Sequence, residues 1–213
     1  MWTARRSWLT AEYVLLFFVA VGGYALVGSP GSPIPFLLVL GFAAWWYLRR
    51  QSTFDRANLV RAEALRPALP SILGLWAVAA VTAVVVIAVL APDRLFDLPR
   101  ERPLLWAAVA VLYPLVSVYP QELIYRAFLL HRYAPVFGTG RGAAAASAIA
   151  FGFAHIIFGT VASVALTVVG GWLFARRYQR TRSLLTAAVE HALYGVLAFT
   201  VGLGNLFYHG ATG

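Results

Sequence analysis

The sequence predicts an all-α fold: a polytopic transmembrane helix bundle of about seven spans, with six and eight as the neighbouring counts. Three observations predict it. Hydrophobic residues make up 61% of the 213 positions and charged residues only 12%, whereas about a quarter of a soluble domain is charged. Mean hydropathy is +0.76. The apolar residues are gathered into runs approaching the ~20 residues that a spanning helix needs, and in lipid such a run satisfies its backbone only as a helix or in a closed barrel.

The runs cover residues 11–28, 34–48, 69–91, 104–119 continuing toward Arg132, 142–158, 160–175 and 183–203. Glycine, proline and serine punctuate them at 28–33, 92–93, 99–103 and 138–140. The first run is longer than a signal-peptide core and lacks a small-residue cleavage motif, so it is expected to be the first span. The short second run and the tight break at 158–160 leave the count open by one. Between the second and third runs, Phe54, Ala57, Leu59, Ala62, Leu65 and Ala68 interleave with Arg and Glu at helical spacing. This segment, 53–68, reads either as an amphipathic helix on the cytoplasmic membrane surface or as a solvated connector.

Charge orients the bundle. All 17 basic residues are arginine, and there is no cysteine, which excludes disulfides and thiolate metal sites. A cytoplasmic N-terminus puts 13 of the 17 arginines on the cytoplasmic side and leaves Arg94, Arg100 and Arg102 on the other, as the positive-inside rule requires. The net charge of +9 is therefore no nucleic-acid footprint. The arginines sit at helix ends and not on one soluble face.

Of eight acids, Glu122 and Glu190 fall within or beside apolar runs, and of four histidines His155 and His191 do so. His131 lies at a helix end and His209 in the tail. A charge near the bilayer centre costs at least ~2.5–3.5 kcal/mol, so such groups are candidates for function. Glu122 and Arg126 are four apart and can pair on one helical face. Pro120 either begins a helix or kinks one, and places Glu122 in a first turn where the helix dipole favours a carboxylate. His155 closes Phe151-Gly-Phe-Ala-His155 in a run of small residues that lets helices approach closely. Glu190 and His191 are adjacent and point about 100° apart on a helix of 3.6 residues per turn, so they are expected to serve different surroundings. Singly, each of these is as readily structural: an ion pair, or a packed histidine. Jointly, one carboxylate and two imidazoles from three helices suit two chemistries. Glu122 and His155 could activate a water while His191 stabilises an oxyanion. Alternatively, Glu122, His155 and His191 could hold a catalytic zinc.

The order and spacing of these blocks resemble the CPBP family of intramembrane proteases, which includes the CAAX prenyl endopeptidases of the Rce1 type and the bacterial Abi proteins. Its pattern is Glu-Glu-x-x-x-Arg, then Phe-x-x-x-His, then His-x-x-x-Asn, on consecutive helices. The matching blocks here are Gln121-Glu122-Leu-Ile-Tyr-Arg126, Phe151-Gly-Phe-Ala-His155 and His191-Ala-Leu-Tyr-Gly195. Two positions depart. Gln121 stands where the resemblance implies the glutamate that polarises water, and Gly195 where it implies an oxyanion-binding asparagine. Glu122 or Glu190 would then have to replace the missing base.

The resemblance implies an N-terminal region, 1–103, of transmembrane helices with the amphipathic segment, and a protease core, 104–213. It implies an endopeptidase that hydrolyses peptide bonds near the C-terminus of membrane-associated protein or peptide substrates, through a Glu/His-activated water, with no cofactor favoured and zinc as the other option. The alternative is a catalytically impaired relative acting as a binding, immunity or scaffold factor. An integral protein of a bacterial inner membrane, with the lipid bilayer as its surroundings, is the expected setting.

Overall fold

The computed structural model describes residues 2–207, and His209 lies outside the described residues. Among the described residues every regular element is helical. Helix α1 spans Ala4–Leu26, α2 Ile34–Arg50, α3 Leu65–Leu90 and the short α4 Asp97–Glu101. Then come α5, Pro103–Arg132, the single turn α6, Ala134–Phe137, α7, Arg141–Phe158, α8, Val161–Thr181, and α9, Leu184–Thr200. This is an integral membrane helical bundle. Each of the seven apolar runs is helical.

Among the described residues four stretches are long and apolar enough to cross a membrane: Ala4–Leu26, Ala62–Leu90, Pro103–Arg132 and Arg141–Phe158. The remaining three differ from the expected full spans for local reasons. Helices α2 and α9 have 17 residues each, about 25 Å at the α-helical rise, and α8 carries Arg176, Arg177 and Arg180 in its second half. Val78, Val81, Val85 and Val89 of α3 are all exposed and share one face. An apolar stripe of this kind is a lipid-facing surface. By contrast, 44% of the α7 stretch is buried, against 11–17% for the other three, so α7 lies inside the bundle.

Short, specific signals set the helix boundaries. Pro33 and Pro35 open α2, where proline's missing N–H costs nothing. Gly159, at φ +69°, separates α7 from α8, and the side chain of Thr160 then caps α8 by accepting from the Ser163 amide. Ser183 caps α9 in the same way through Thr186. Small residues bring α7 and α8 into backbone contact. A Cβ on Gly152 would run into the Val168 side chain and lie 3.2 Å from the Val164 carbonyl oxygen, and one on Gly171 would lie 3.1 Å from Ala148 Cα. Gly152→Leu is therefore expected to destabilise the bundle by about 1–3 kcal/mol or more through overpacking. Thermal unfolding in detergent checks this, with exposed Gly74→Leu, whose Cβ meets nothing within 4 Å, as the control.

The segment 53–68 is neither a single helix nor a surface-lying one. It forms a separate 3-10 turn, Arg56–Leu59, and a second, Ala62–Ala64, that runs directly into α3. Phe54 and Leu59 are buried in a cluster with Leu48, Leu123, Tyr178 and Leu184, so burial against α2, α5, α8 and α9 overrides the helical periodicity. The side chain of Asp55 caps the Ala57 amide and pairs with Arg61.

Helix α5 carries the first candidate block, and it is not regular. Pro114 and Pro120 both lie within it, and it widens into π turns at Pro114–Val118 and Leu123–Phe128. Pro120 neither begins a helix nor ends one: the wider turns absorb its missing hydrogen bond. Glu122 is consequently in mid-helix, between two π turns, and not in a first turn as the sequence led us to expect. On the other side, Gly41 of α2 lets α5 approach until a Cβ there would be 3.0 Å from Pro120 Cβ. Helices α1 and α2 also join the core around this block: Leu9, Tyr13, Phe17 and Ala44 pack with Ile124, Tyr125, Phe151 and Phe174. The hydroxyl of Tyr13 donates to the Ala146 carbonyl at 2.9 Å, and Arg132 forks onto Glu12 at 3.0 and 2.7 Å.

Candidate active site

Glu122, Arg126 and His191 come together from α5 and α9 in the bundle interior, the first two at 0% exposure and the third at 5%. Nδ1 of His191 lies 2.9 Å from Glu122 Oε1. A carboxylate accepts, so Nδ1 carries the proton that donates. Glu122 Oε2 lies 3.2 Å from Arg126 Nε. Oε1 thus accepts a hydrogen bond from an imidazole on another helix, while Oε2 forms an ion pair with a cation on its own helix without a hydrogen bond. An isolated carboxylate at this depth would be strongly disfavoured, and the pairing offsets that cost.

The phenyl ring of Phe151, on α7, is the centre around which the other groups pack. The Arg126 guanidinium carbon lies 4.4 Å from its centroid, a cation–π distance. The His155 ring is 4.7 Å from it and the His191 ring 5.4 Å. Both candidate imidazoles therefore touch one side chain. Phe174 of α8 stacks on His191 at 4.6 Å and 14°, which fixes the plane of that imidazole. The terminal nitrogens of Arg126 are buried and have no hydrogen-bond partner in the protein, an uncommon state for buried donors.

His155 ends the α-helical part of α7 and is only partly buried. Its Nδ1 lies 2.8 Å from the Phe151 carbonyl oxygen. A carbonyl can only accept, so Nδ1 is the protonated nitrogen and neutral His155 has Nε2 as an acceptor. The one-turn backbone link fixes both tautomer and ring direction.

The other sequence candidates are placed as follows. Gln121 donates from Nε2 to Ser117 Oγ at 2.7 Å, and its Oε1 is buried without a partner. Glu190 does not join Glu122. It is held by Arg177 of α8 through two bonds, 2.9 and 3.0 Å, so the neighbouring residues Glu190 and His191 do serve different surroundings. Gly195 packs against Tyr113: a Cβ at 195 would collide with the Tyr113 ring. Sequence reasoning missed Tyr113, Phe174 and Ser117. Ser117 and Gln121 form a polar i,i+4 pair inside an apolar run and could have been found by that spacing. Tyr113 and Phe174 lie in apolar runs with no local signal.

A metal centre was one expectation. Among the described residues, no group of three or more His, Asp or Glu side chains is placed to hold a metal ion. Glu122, His155 and His191 would become such a set only if His191 Nδ1 and Glu122 Oε1 gave up their mutual bond. As arranged, these side chains do not form a zinc site.

No curated protein and no solved structure matches the chain. A family model does match, over residues 102–197, and its description is type II CAAX prenyl endopeptidase Rce1-like. That interval starts beside α5 and ends within α9, so it contains Glu122, Arg126, Phe151, His155 and His191 together. Residues 102–197 are thus similar to the Rce1-like family of type II CAAX prenyl endopeptidases.

Proposed function

We propose that the chain is an intramembrane endopeptidase of a bacterial plasma membrane, and that it hydrolyses a peptide bond near the C-terminus of membrane-associated substrates. In this reading residues 104–213 are the catalytic core, and residues 1–103 supply its lipid-facing helices. The observation that carries it is the buried Glu122–His191 contact, sharing the Phe151 ring with a histidine whose Nε2 is an unprotonated acceptor. Structural ion pairs are common in bundles, but they do not explain a second imidazole held in a base-competent tautomer alongside.

The roles follow from the bonds. Neutral His155 takes a proton from water at Nε2 as the water oxygen attacks the scissile carbonyl. The proton then passes to the leaving amine. Glu122 accepts from His191 Nδ1 at Oε1 and so orients that imidazole. The Glu122–His191 pair stabilises the oxyanion, and Arg126 balances the carboxylate. Gln121 cannot take a proton. Its carbonyl Oε1, buried without a partner, is an acceptor to which a water can donate.

Three reporter peptides test the reading in proteoliposomes: one free in solution, one S-farnesylated on a cysteine near its C-terminus, and one carrying an N-terminal membrane anchor. The expected result is cleavage of a membrane-bound peptide and none of the free one. Retained binding of the membrane-bound peptides with no cleavage of any would instead establish the scaffold alternative, which Gln121 and Gly195 motivate.

A further inference from the structure

The hydroxyl of Tyr113 lies 3.3 Å from His191 Nε2. Glu122 engages the other ring nitrogen, so α5 grips His191 at both ends. The Tyr113 ring fills the space that a side chain at 195 would take, since any Cβ on Gly195 would collide with it. Phe199 holds the ring from one side, with centroids 5.6 Å apart at 70°. His191 cannot reach an oxyanion directly along its Nε2 axis, because that direction ends on the Tyr113 oxygen.

We propose that Tyr113 is the donor through which the Glu122–His191 pair reaches the oxyanion, and that the glycine at 195 exists to admit it. The proposal rests on the protease reading and adds a residue to it. The proton balance is simple. Neutral His191 donates Nδ1–H to Glu122 and accepts the phenolic O–H of Tyr113 at Nε2 at rest, and the phenol turns that O–H to the oxyanion as negative charge develops. No proton need be transferred along this chain: the bonds shorten as charge accumulates and relax when the intermediate collapses.

Tyr113→Phe keeps the ring and its packing and removes only the O–H. It is expected to lower kcat by about 10²–10³-fold, the usual effect of losing one oxyanion donor, with KM little changed and the thermal midpoint retained. Gly195→Asn alone is expected to disrupt packing against Tyr113. Tyr113→Ala combined with Gly195→Asn places a different donor in the same space and should recover activity over Tyr113→Ala. His155→Ala is run alongside. If His155→Ala abolishes cleavage and Tyr113→Phe cleaves like wild type, the Tyr113 proposal is overturned and the protease reading stands. If His155→Ala cleaves like wild type, the protease reading itself has failed.

A separate feature surrounds Glu190. Arg141, Arg176, Arg177 and Arg180 line a cavity of about 400 Å³, with Leu75 and Trp172 among its apolar walls. Glu190 is the single acid in this lining, and its charge is taken up by Arg177. Arg176 bonds only to the neutral Gln179 side chain, and Arg141 and Arg180 have no partner among the described residues. Four cations facing one satisfied anion leave a cavity with a net positive charge of three. It stands at the arginine-rich end of α8 beside the apolar α3 face, where a tryptophan suits the membrane interface.

We infer that this cavity holds the phosphate of an anionic phospholipid, with an acyl chain running along the lipid-exposed face of α3. Guanidinium forks match phosphate oxygens, and basic pockets between membrane helices bind anionic headgroups. The test is lipid retention by native mass spectrometry after reconstitution in mixed phosphatidylcholine and phosphatidylglycerol nanodiscs. Wild type should retain phosphatidylglycerol selectively. R141Q/R180Q should reduce that retention roughly 30-fold, at about a tenfold factor per 1.4 kcal/mol and ~1 kcal/mol per interfacial arginine. Unchanged retention in the double variant overturns the inference. Equal displacement of phosphatidylglycerol by millimolar inorganic phosphate would overturn the lipid assignment.

Discussion

Arg126→Met is expected to destabilise the folded protein by about 3–5 kcal/mol, the cost of leaving a buried charge without its partner. Both side chains of the Arg126–Glu122 pair are 0% exposed, so no solvent screening moderates the loss. Arg126 also supplies the cation over Phe151 and, at 5.6 Å, over Phe174, and its removal loosens the ring stack that fixes His191. Methionine fills similar volume, so the cavity contribution is small and the effect reports the charge. Glu122→Gln with Arg126→Met removes both charges and should recover most of the stability, while His191 loses its carboxylate. The measurement is reversible unfolding of the reconstituted protein for the two single variants and the double. An Arg126→Met protein within about 1 kcal/mol of wild type, where ordinary substitutions fall, would mean that the pair is not a desolvated one.

His155→Ala is expected to do the reverse, leaving the fold and removing the chemistry. His155 is partly exposed, carries no buried charge, and makes its one polar bond to the carbonyl of its own preceding turn. Truncation leaves that carbonyl available to water and strands no ion. Loss of a positioned general base lowers the rate by about 10²–10⁴-fold. The thermal midpoint should move little, which separates this residue from Arg126. A large fall in stability with cleavage retained by the surviving folded fraction would mark His155 as a packing residue.

Much of the architecture was legible because its signals are local. Gly159 and the caps at Thr160 and Ser183 lie where the sequence breaks its apolar runs, and the small residues of α7 announce the close approach realised at Gly152. The convergence of Glu122, Arg126, Phe151 and His191 was readable only as a set of costly residues on separate helices. Their meeting sets the Glu122 carboxylate between Arg126 and His191, which offsets the cost of its charge in lipid. Other features are long-range and leave no local trace. Tyr113 reaches His191 from 78 residues away, and only the odd glycine at 195 hints at it. Arg177 meets Glu190 across the α8–α9 hairpin, 13 residues apart. Pro120 misled because proline usually marks a boundary, whereas the π turns on either side of Glu122 let α5 continue through it. The segment 53–68 misled because helical spacing of apolar residues does not distinguish a surface helix from a loop whose Phe54 and Leu59 are buried in the core.

The central step is attack by water inside the bilayer, activated by this set of side chains. Single-turnover cleavage of the anchored reporter peptide in H₂¹⁸O, with product mass measured for wild type and His155→Ala, tests that most directly. Wild type is expected to yield a new carboxylate carrying solvent ¹⁸O in the first turnover, and His155→Ala almost no product. Absence of product from wild type, equal product from the variant, or a first-turnover carboxylate without ¹⁸O would contradict it.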